Sequence, residues 1–500
     1  MSLKKNLTAN YLGKGWVGLM GFAFIPLYIQ YLGIESYGLI GIFAILNAWL
    51  ALLDMGMAPT LNREMARYTA GAHTPQSICD LLRSLEIIGF ALACAIGLLI
   101  WMVSGWLAND WLRVERLQVE AVSQAIAIMG AVGILGFLEG LYRGTILGLQ
   151  RQVLFNAISA LVATVRAVGA VAVLAWVSPT IEAYFAWQGL VSLCSLITLA
   201  VATYWFLPTP PLSPRFTRQA VVDVWRFASG MMTTAFLVFL LVQLDKILLS
   251  RLLSLESFGY YALASTVAMV ISLLVSPASQ AFYPRFSEIV ARGDTAKLVS
   301  TYHQGAQLVA VLAAPVAMTL IFFSEQIMFL WSGNGVLTHE VAPLLALLSV
   351  GSLLNGLMTM PYMLSLAYGW SGFAVRVNAV AVTVLVPAIV WATHNYGAMG
   401  AAWTWALLNV GYLLLGIRYL HSRLLPQEIS SWYWCDVARP LIAATGITAL
   451  CSTLLLHVNS RFGEVILIVS SGIGSVFVAA MFSTAIREKA LDVFLDRRPS

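Results

Sequence analysis

The sequence predicts an all-α, polytopic membrane protein with about 14 transmembrane helices, each long enough to cross a bilayer. Of its 500 residues, 60% are apolar and only 10% are charged, whereas a soluble domain carries about 25% charged residues. The apolar residues form sustained runs of about 20, which suit membrane-spanning helices. These runs exclude a β-barrel, whose strands are alternating segments of about ten residues.

The predicted spans form two blocks of six helices and one additional pair. The first block covers 1–207, a proline-rich cytoplasmic linker 208–224, the second block 225–420 and the additional pair 421–485. The tail 486–500 has apolar residues at helical spacing, which predicts a short amphipathic helix on the inner surface. The spans lie near 9–31, 37–58, 81–106, 119–140, 153–177, 182–207, 225–250, 258–282, 303–331, 341–366, 372–394, 397–420, 437–457 and 462–485.

The distribution of Lys and Arg predicts the orientation of these spans. With the N-terminus in the cytoplasm, most of the 28 Lys and Arg residues fall in cytoplasmic segments, as the positive-inside rule requires. Arg166 alone lies near the middle of a span. Because the number of spans is even, we expect both termini in the cytoplasm.

The two six-helix blocks resemble each other, which indicates an internal duplication. Matching residues recur at a near-constant offset of 221–222 positions. An even number of spans per block gives both copies the same orientation, a symmetry common in transporters. The matched pairs are Glu35 with Glu256, Arg63 with Arg285, and Asn156 with Asn378.

Several classes of function lack their expected signals. No Gly-rich P-loop occurs, which disfavours ATP hydrolysis by this chain, and no His or Cys residues have metal-ligand spacing. The basic residues are spread between apolar runs, so nucleic acid is not a predicted partner. We therefore predict no catalytic residue, cofactor or metal, and a protein that is not an enzyme.

Short motifs in both blocks carry a resemblance to a known family. The motifs are Leu32-Gly33, Tyr37-Gly38, Leu53-Asp54-Met55-Gly56-Met57, Glu139-Gly140-Leu141-Tyr142-Arg143-Gly144, Gln243-Leu244-Asp245-Lys246 and Phe282-Tyr283-Pro284-Arg285. In order and spacing they are similar to the polysaccharide-transporter branch of the multidrug/oligosaccharidyl-lipid/polysaccharide exporter superfamily, which includes the O-antigen flippases. The resemblance covers about residues 6–420.

This resemblance implies a flippase for an oligosaccharide linked to undecaprenyl diphosphate, in the cytoplasmic (inner) membrane. It implies alternating access, H⁺ or Na⁺ as a possible coupling ion, contact with membrane lipids, and possible partnership with other polysaccharide-assembly proteins. The alternatives are a cation-coupled multidrug exporter of the same superfamily, a polysaccharide polymerase or ligase, and a flippase of the peptidoglycan precursor, which the count of fourteen spans permits. The absence of an acid in the first span disfavours the drug exporter, and the short outer loops disfavour the enzyme.

Arg166 is the most informative candidate for substrate binding. A charged residue at the centre of a span costs about 2.5–3.5 kcal/mol on insertion scales, so it must face a cavity or a partner. The planar guanidinium binds phosphate oxygens in pairs, so Arg166 suits a diphosphate. A structural salt bridge remains the alternative.

Five further cations lie near the inner ends of spans and are candidates for capturing phosphate. Each could instead determine topology or extend toward the lipid headgroups. Three acids are candidates for ion coupling, because a buried carboxylate can carry a proton; a salt bridge or solvation at a span end is the alternative. The cations are Lys14, Arg63, Arg143, Arg285 and Arg376, and the acids are Asp54, Glu139 and Asp245.

Overall fold

The computed structural model describes residues 3–54, 56–218, 222, 239, 243–455, 457–458, 460–484 and 487. It confirms the predicted all-α membrane fold, because the described residues contain 12 helical segments long and apolar enough to cross a membrane. The chain divides into two compact units, Met1–Gly259 and Tyr260–Ser500. The predicted amphipathic tail, 486–500, lies outside the described residues except for residue 487, and so does most of the seventh predicted span, 225–250.

The first unit is built around one central helix, α6, which packs against α3, α4, α5 and α8. Helix α1 packs along α7. Helix α5 begins with a capping box at Thr74 and Ser77 and has Pro75 at its first position, a combination that fixes a helix start. The helices are α1 (Leu3–Ala23), α2 (Ile25–Leu32), α3 (Ile34–Leu53), α4 (Met57–Thr69), α5 (Pro75–Trp106), α6 (Val119–Gly148), α7 (Gln152–Trp176) and α8 (Ile181–Phe206).

The linker that follows α8 is held against the start of α5 by backbone hydrogen bonds. The Leu212 N–H donates to the Gln76 side chain over 3.0 Å. The Arg215 N–H donates to Asp80 over 2.8 Å, and the Thr217 N–H donates to the Ser84 hydroxyl over 2.9 Å. Polar side chains near the start of α5 therefore accept hydrogen bonds from three backbone N–H groups of the linker.

Two glycines at equivalent places in the sequence repeat make reciprocal contacts. A Cβ on Gly38 would overlap the Leu255 carbonyl, and a Cβ on Gly259 would overlap the Ile34 carbonyl. Both glycine–carbonyl pairs are related by the offset of 221 residues. The same close contact therefore recurs at matching positions of the two sequence copies, which supports the duplication.

The second unit is organised around α10, which packs against α12, α13, α16 and α17. Small residues of α10, among them Ala313, Ala314 and Ala317, are fully buried and allow close helix approach, as in other membrane bundles. The helices that follow α8 are α9 (Leu255–Arg292), α10 (Thr295–Phe322), α11 (Ser324–Ser332), α12 (Gly335–Leu357), α13 (Thr359–Ala367), α14 (Ser371–Gly411), α15 (Ile417–Leu424), α16 (Arg439–Leu455) and α17 (Arg461–Phe482).

The segment Arg376–Leu424 combines two predicted spans. The helical backbone breaks at Gly397, whose φ of 60° and ψ of −144° are non-helical. A positive φ of this kind is readily adopted only by glycine. The other eleven segments each match one predicted span, so the described residues account for thirteen of the fourteen. The lobe boundaries 1–207 and 225–420 stay a prediction.

The predicted orientation can be tested at the linker, where Ser213 is exposed. In a cysteine-free background, we expect Ser213→Cys to react with a membrane-impermeant maleimide only after the cells are permeabilised, because the linker is predicted to be cytoplasmic. A cysteine at the exposed residue Glu115, in a predicted outer loop, serves as the control and should react in intact cells. Labelling of Ser213→Cys in intact cells would contradict the predicted topology.

Candidate functional site

Arg166 lies half-buried in α7 and makes its main contact with α8. One guanidinium nitrogen, Nη2, donates a hydrogen bond to the Ser192 hydroxyl over 3.1 Å. The buried Nε has no hydrogen-bond partner among the described residues. A guanidinium carries five N–H donors, so Arg166 retains capacity to bind an additional acceptor.

Glu139 of α6 shares this environment with Arg166. The positive charge of Arg166 acts on the Glu139 carboxylate, which also accepts a hydrogen bond from the Ser195 side chain. Ser192 and Ser195 are both 2% exposed, so this polar contact lies within the helix bundle. The structure thus brings together a substrate-binding candidate and an ion-coupling candidate that the sequence presented separately.

Two tyrosines form the wall of this site beside Arg166. The Tyr28 hydroxyl donates to the Ala167 carbonyl over 3.4 Å, and the rings of Tyr28 and Tyr184 meet edge to face at 5.2 Å. The Arg166 charge acts on both tyrosines. Because Tyr28 and Tyr184 are each 7% exposed, they limit the access of water to this side of Arg166.

A second acid–base pair lies next to Glu139 along the bundle. Arg143, four residues after Glu139 on α6 and therefore on the same helix face, acts electrostatically on both Glu139 and Asp54. The close packing of α4 on α6 supports this arrangement, because a Cβ at Gly144 would overlap the Ala58 carbonyl. The first unit therefore holds a series of alternating charges, Asp54–Arg143–Glu139–Arg166, hereafter the charge series.

Asp54 is the member of the charge series at the C-terminal cap of α3. Its Oδ2 accepts the Ala58 N–H over 3.1 Å, while its buried Oδ1 has no hydrogen-bond partner in the part of the chain that the structure describes. The Ala58 N–H and the positive charge of Arg143 both act on the Asp54 carboxylate. Asp54 stays a candidate for ion coupling.

The structure does not join the other candidates to the charge series. Lys14 is exposed on α1, and Arg63 lies 3.7 Å from Glu64. Arg285 lines a polar pocket of about 480 Å³ with Arg292 and Lys297.

Arg376 is exposed at one end of an apolar groove in the second unit. Asp245 lies 3.9 Å from Lys246.

One polar cluster in the second unit was missed by sequence reasoning. His303 of α10 contacts Asp436 through Nδ1 and Glu428 through Nε2 over 3.0 Å. The Gln307 amide donates to Asp436 over 2.8 Å and accepts a hydrogen bond from the Ser483 hydroxyl over 2.7 Å. The available signal was two polar residues, His303 and Gln307, one helical turn apart in an apolar span.

The described residues contain no group of three His, Cys, Asp or Glu side chains arranged to hold a metal ion. Two compact units of long apolar helices, with charged side chains held inside the first, define a multi-pass membrane transporter. The match to known proteins specifies this class further. Residues 3–290 match the model of the polysaccharide biosynthesis protein family, and the chain belongs to that family.

One relative agrees with this assignment, and two solved structures share the fold. The chain is 20% identical over 430 residues to a putative O-antigen transporter of Shigella flexneri, covering 85% of this chain and 99% of the relative. The fold is similar to the lipid II flippase MurJ in an inward closed conformation, with a TM-score of 0.68, 13% identity and coverage of 97% of this chain and 99% of MurJ.

It is also similar to an inward-facing MATE family multidrug resistance transporter of the MOP superfamily. The TM-score is 0.66 at 13% identity, with coverage of 84% of this chain and 96% of the transporter. At these identities the two structures establish the fold alone.

Proposed function

We propose that this protein is a flippase that moves an oligosaccharide linked to undecaprenyl diphosphate from the inner to the outer leaflet of the cytoplasmic membrane. It serves the assembly of a surface polysaccharide, such as O-antigen, capsule or exopolysaccharide. Membership of the polysaccharide biosynthesis protein family and similarity to a putative O-antigen transporter over nearly that protein's whole length support this proposal.

The observation that carries the proposal is the incompletely bonded cation within the first unit. A diphosphate must cross about 30 Å of hydrocarbon, and it requires a positive partner that is not already neutralised. Arg166 meets this requirement once the charge of Glu139 is neutralised, because Ser192 is a neutral acceptor and the Nε remains without a hydrogen bond among the described residues. Its planar fork is suited to two phosphate oxygens.

Glu139 provides a way to couple transport to an ion. While Glu139 is ionised, its charge competes with the substrate for Arg166. Binding of H⁺ or Na⁺ at Glu139 removes that competition and increases the affinity of Arg166 for the diphosphate. Alternating access then releases the substrate and the ion on the opposite side. This cycle involves no bond making, so the protein acts as a transporter and not as an enzyme.

Deletion of the gene in its own host tests the proposed function. We expect undecaprenyl-linked oligosaccharide to accumulate and to remain inaccessible to an impermeant sugar-modifying enzyme in spheroplasts, because the substrate stays in the inner leaflet. A plasmid copy of the wild-type gene should reverse the accumulation. The same glycolipid accumulating in an accessible form would instead indicate a polymerase or ligase. Normal glycolipid together with new drug sensitivity would indicate a multidrug exporter.

A further inference from the structure

The second unit contains an apolar groove that the charge series does not use. It has a volume of about 1050 Å³ and lies along both parts of the broken segment Arg376–Leu424. Val384, Trp391 and Leu407 line it and are 61%, 63% and 61% exposed. From Arg376 to Trp391 the groove follows 15 residues of helix, about 22 Å at 1.5 Å per residue, which is most of the hydrocarbon thickness.

One end of the groove carries positive charge and aromatic rings. Arg376 lines the groove there, together with Trp370 and Tyr419, whose rings stack at 5.9 Å. A second cation, Arg423, lies over the Tyr419 ring with its Cζ 5.8 Å from the centroid. Neither arginine forms an ion pair with any acid in the part of the chain that the structure describes, so both are available to an anion.

A polar pocket adjoins the groove near this end. It has a volume of about 260 Å³ and shares Val377, Tyr412 and Gly416 with the groove. The Tyr412 hydroxyl donates to Asn378 over 3.3 Å, and the remaining polar lining consists of neutral amides and hydroxyls. Such groups donate and accept hydrogen bonds, as the hydroxyls of a sugar require. These lining residues are Asn355, Thr359, Tyr362 and Ser365.

The first unit uses the equivalent asparagine differently. Asn156, the equivalent of Asn378, is 7% exposed and donates to Asn10 of α1 over 2.5 Å. The first-unit asparagine therefore fastens one helix to another. Asn378 instead presents its amide to a pocket, so the two copies have diverged at this position.

We infer that the groove, the two arginines and the polar pocket form one binding site for a polyprenyl-diphosphate sugar. The apolar chain lies in the groove between Val384 and Leu407, the diphosphate contacts Arg376 and Arg423, and the first sugar occupies the pocket at Asn378. The site is apolar, then cationic, then polar, which matches the prenyl chain, diphosphate and sugar of such a lipid. A phospholipid has no sugar to occupy the pocket. This inference rests on the proposed function and locates a binding site for the substrate in the second unit.

The experiment measures binding of undecaprenyl diphosphate to the purified full-length protein by native mass spectrometry, with phosphatidylglycerol as the competing lipid. We expect Val384→Trp, which fills the groove, and the double variant Arg376→Gln/Arg423→Gln each to weaken binding about tenfold or more, because each removes a major part of the contact. The matched controls are Val390→Trp, exposed on the same helix but outside the groove, and Arg461→Gln, an arginine stacked on Phe329. Both controls should bind as the wild type does.

Two outcomes would overturn the inference. Wild-type affinity in both groove variants would show that the lipid binds elsewhere, and equal displacement by phosphatidylglycerol would show a site for ordinary membrane lipid. These outcomes are separate from the test of function. A deletion strain that accumulates inaccessible glycolipid, combined with unaffected binding in the variants, would refute the site and leave the flippase intact. If binding of the lipid depends on the groove but the deletion strain has normal glycolipid, the proposed flippase function is refuted and the binding site is not.

Discussion

Replacing Arg166 with alanine is expected to reduce export of surface polysaccharide by at least about 100-fold, since charged hydrogen bonds contribute about 1.5–3 kcal/mol each and the diphosphate loses two. Arg166→Lys should retain an intermediate activity, because a point charge replaces the planar fork. Protein abundance should remain near that of the wild type, because Ser192 is a neutral hydroxyl that needs no cation. Surface polysaccharide and membrane protein abundance, measured together, check this expectation.

The Glu139 contact allows binding and structural roles of Arg166 to be separated. If Arg166 only balanced the Glu139 charge, Arg166→Ala would leave a buried acid with reduced compensation and protein abundance would fall. The double variant Arg166→Ala/Glu139→Gln removes that acid and would then restore both abundance and export. A substrate-binding role predicts normal abundance in the single variant and no export in the double variant. Arg151→Ala is the matched control, an arginine at the start of the same helix that stacks on Phe206 with its Cζ 4.3 Å from the ring centroid.

The sequence predicted the spans well because lipid imposes a strict condition on the chain. In hydrocarbon every backbone N–H and C=O must be bonded within its own helix, so long apolar runs correspond directly to helices. The same condition does not determine where a helix stops being straight. The predicted spans 372–394 and 397–420 are joined through Gly397 in a single segment. A glycine permits a break in the helix, but only its φ in the structure shows that the helix breaks there.

The partners of the charged residues could not be predicted, because they depend on how distant helices pack. Arg166 and Ser192 are separated by 26 residues, and His303 and Asp436 by 133. Because a charge buried in a span is costly, the sequence predicted that Arg166 faces a cavity or a partner. It did not identify Ser192 or Glu139 as that partner. It offered Asp54, Glu139 and Asp245 as candidate acids and overlooked Asp436, which lies in a π-helical turn before α16.

Asp436 is expected to be the residue of the second unit whose loss most reduces stability. It is fully buried, contacts His303 and accepts a hydrogen bond from Gln307 over 2.8 Å. Gln307 in turn accepts a hydrogen bond from the Ser483 hydroxyl and donates one to the Thr484 hydroxyl over 3.2 Å. These bonds tie α10 to both members of the additional helix pair, the turn before α16 and the end of α17.

Asp436→Ala should therefore lower the free energy of unfolding by about 3–5 kcal/mol, the usual cost of removing one partner from a buried charged network. Asp436→Asn should cost less, because an amide keeps the shape and can still accept the Gln307 hydrogen bond. Thermal unfolding of the purified protein in detergent measures the ranking, and hydrogen exchange in α16 and α17 shows whether the additional pair separates first.

Glu428→Gln is the matched control for Asp436, since Glu428 contacts the same histidine from a position that is 27% exposed. Ion pairs with this much solvent access contribute about 0–1 kcal/mol, so this variant should unfold close to the wild-type temperature. His303→Gln combined with Asp436→Asn should cost less than the two single changes added together, because the residues belong to one network. An unfolding temperature for Asp436→Ala equal to that of Glu428→Gln, with unchanged exchange in α16 and α17, would show that the cluster does not hold the additional pair in place.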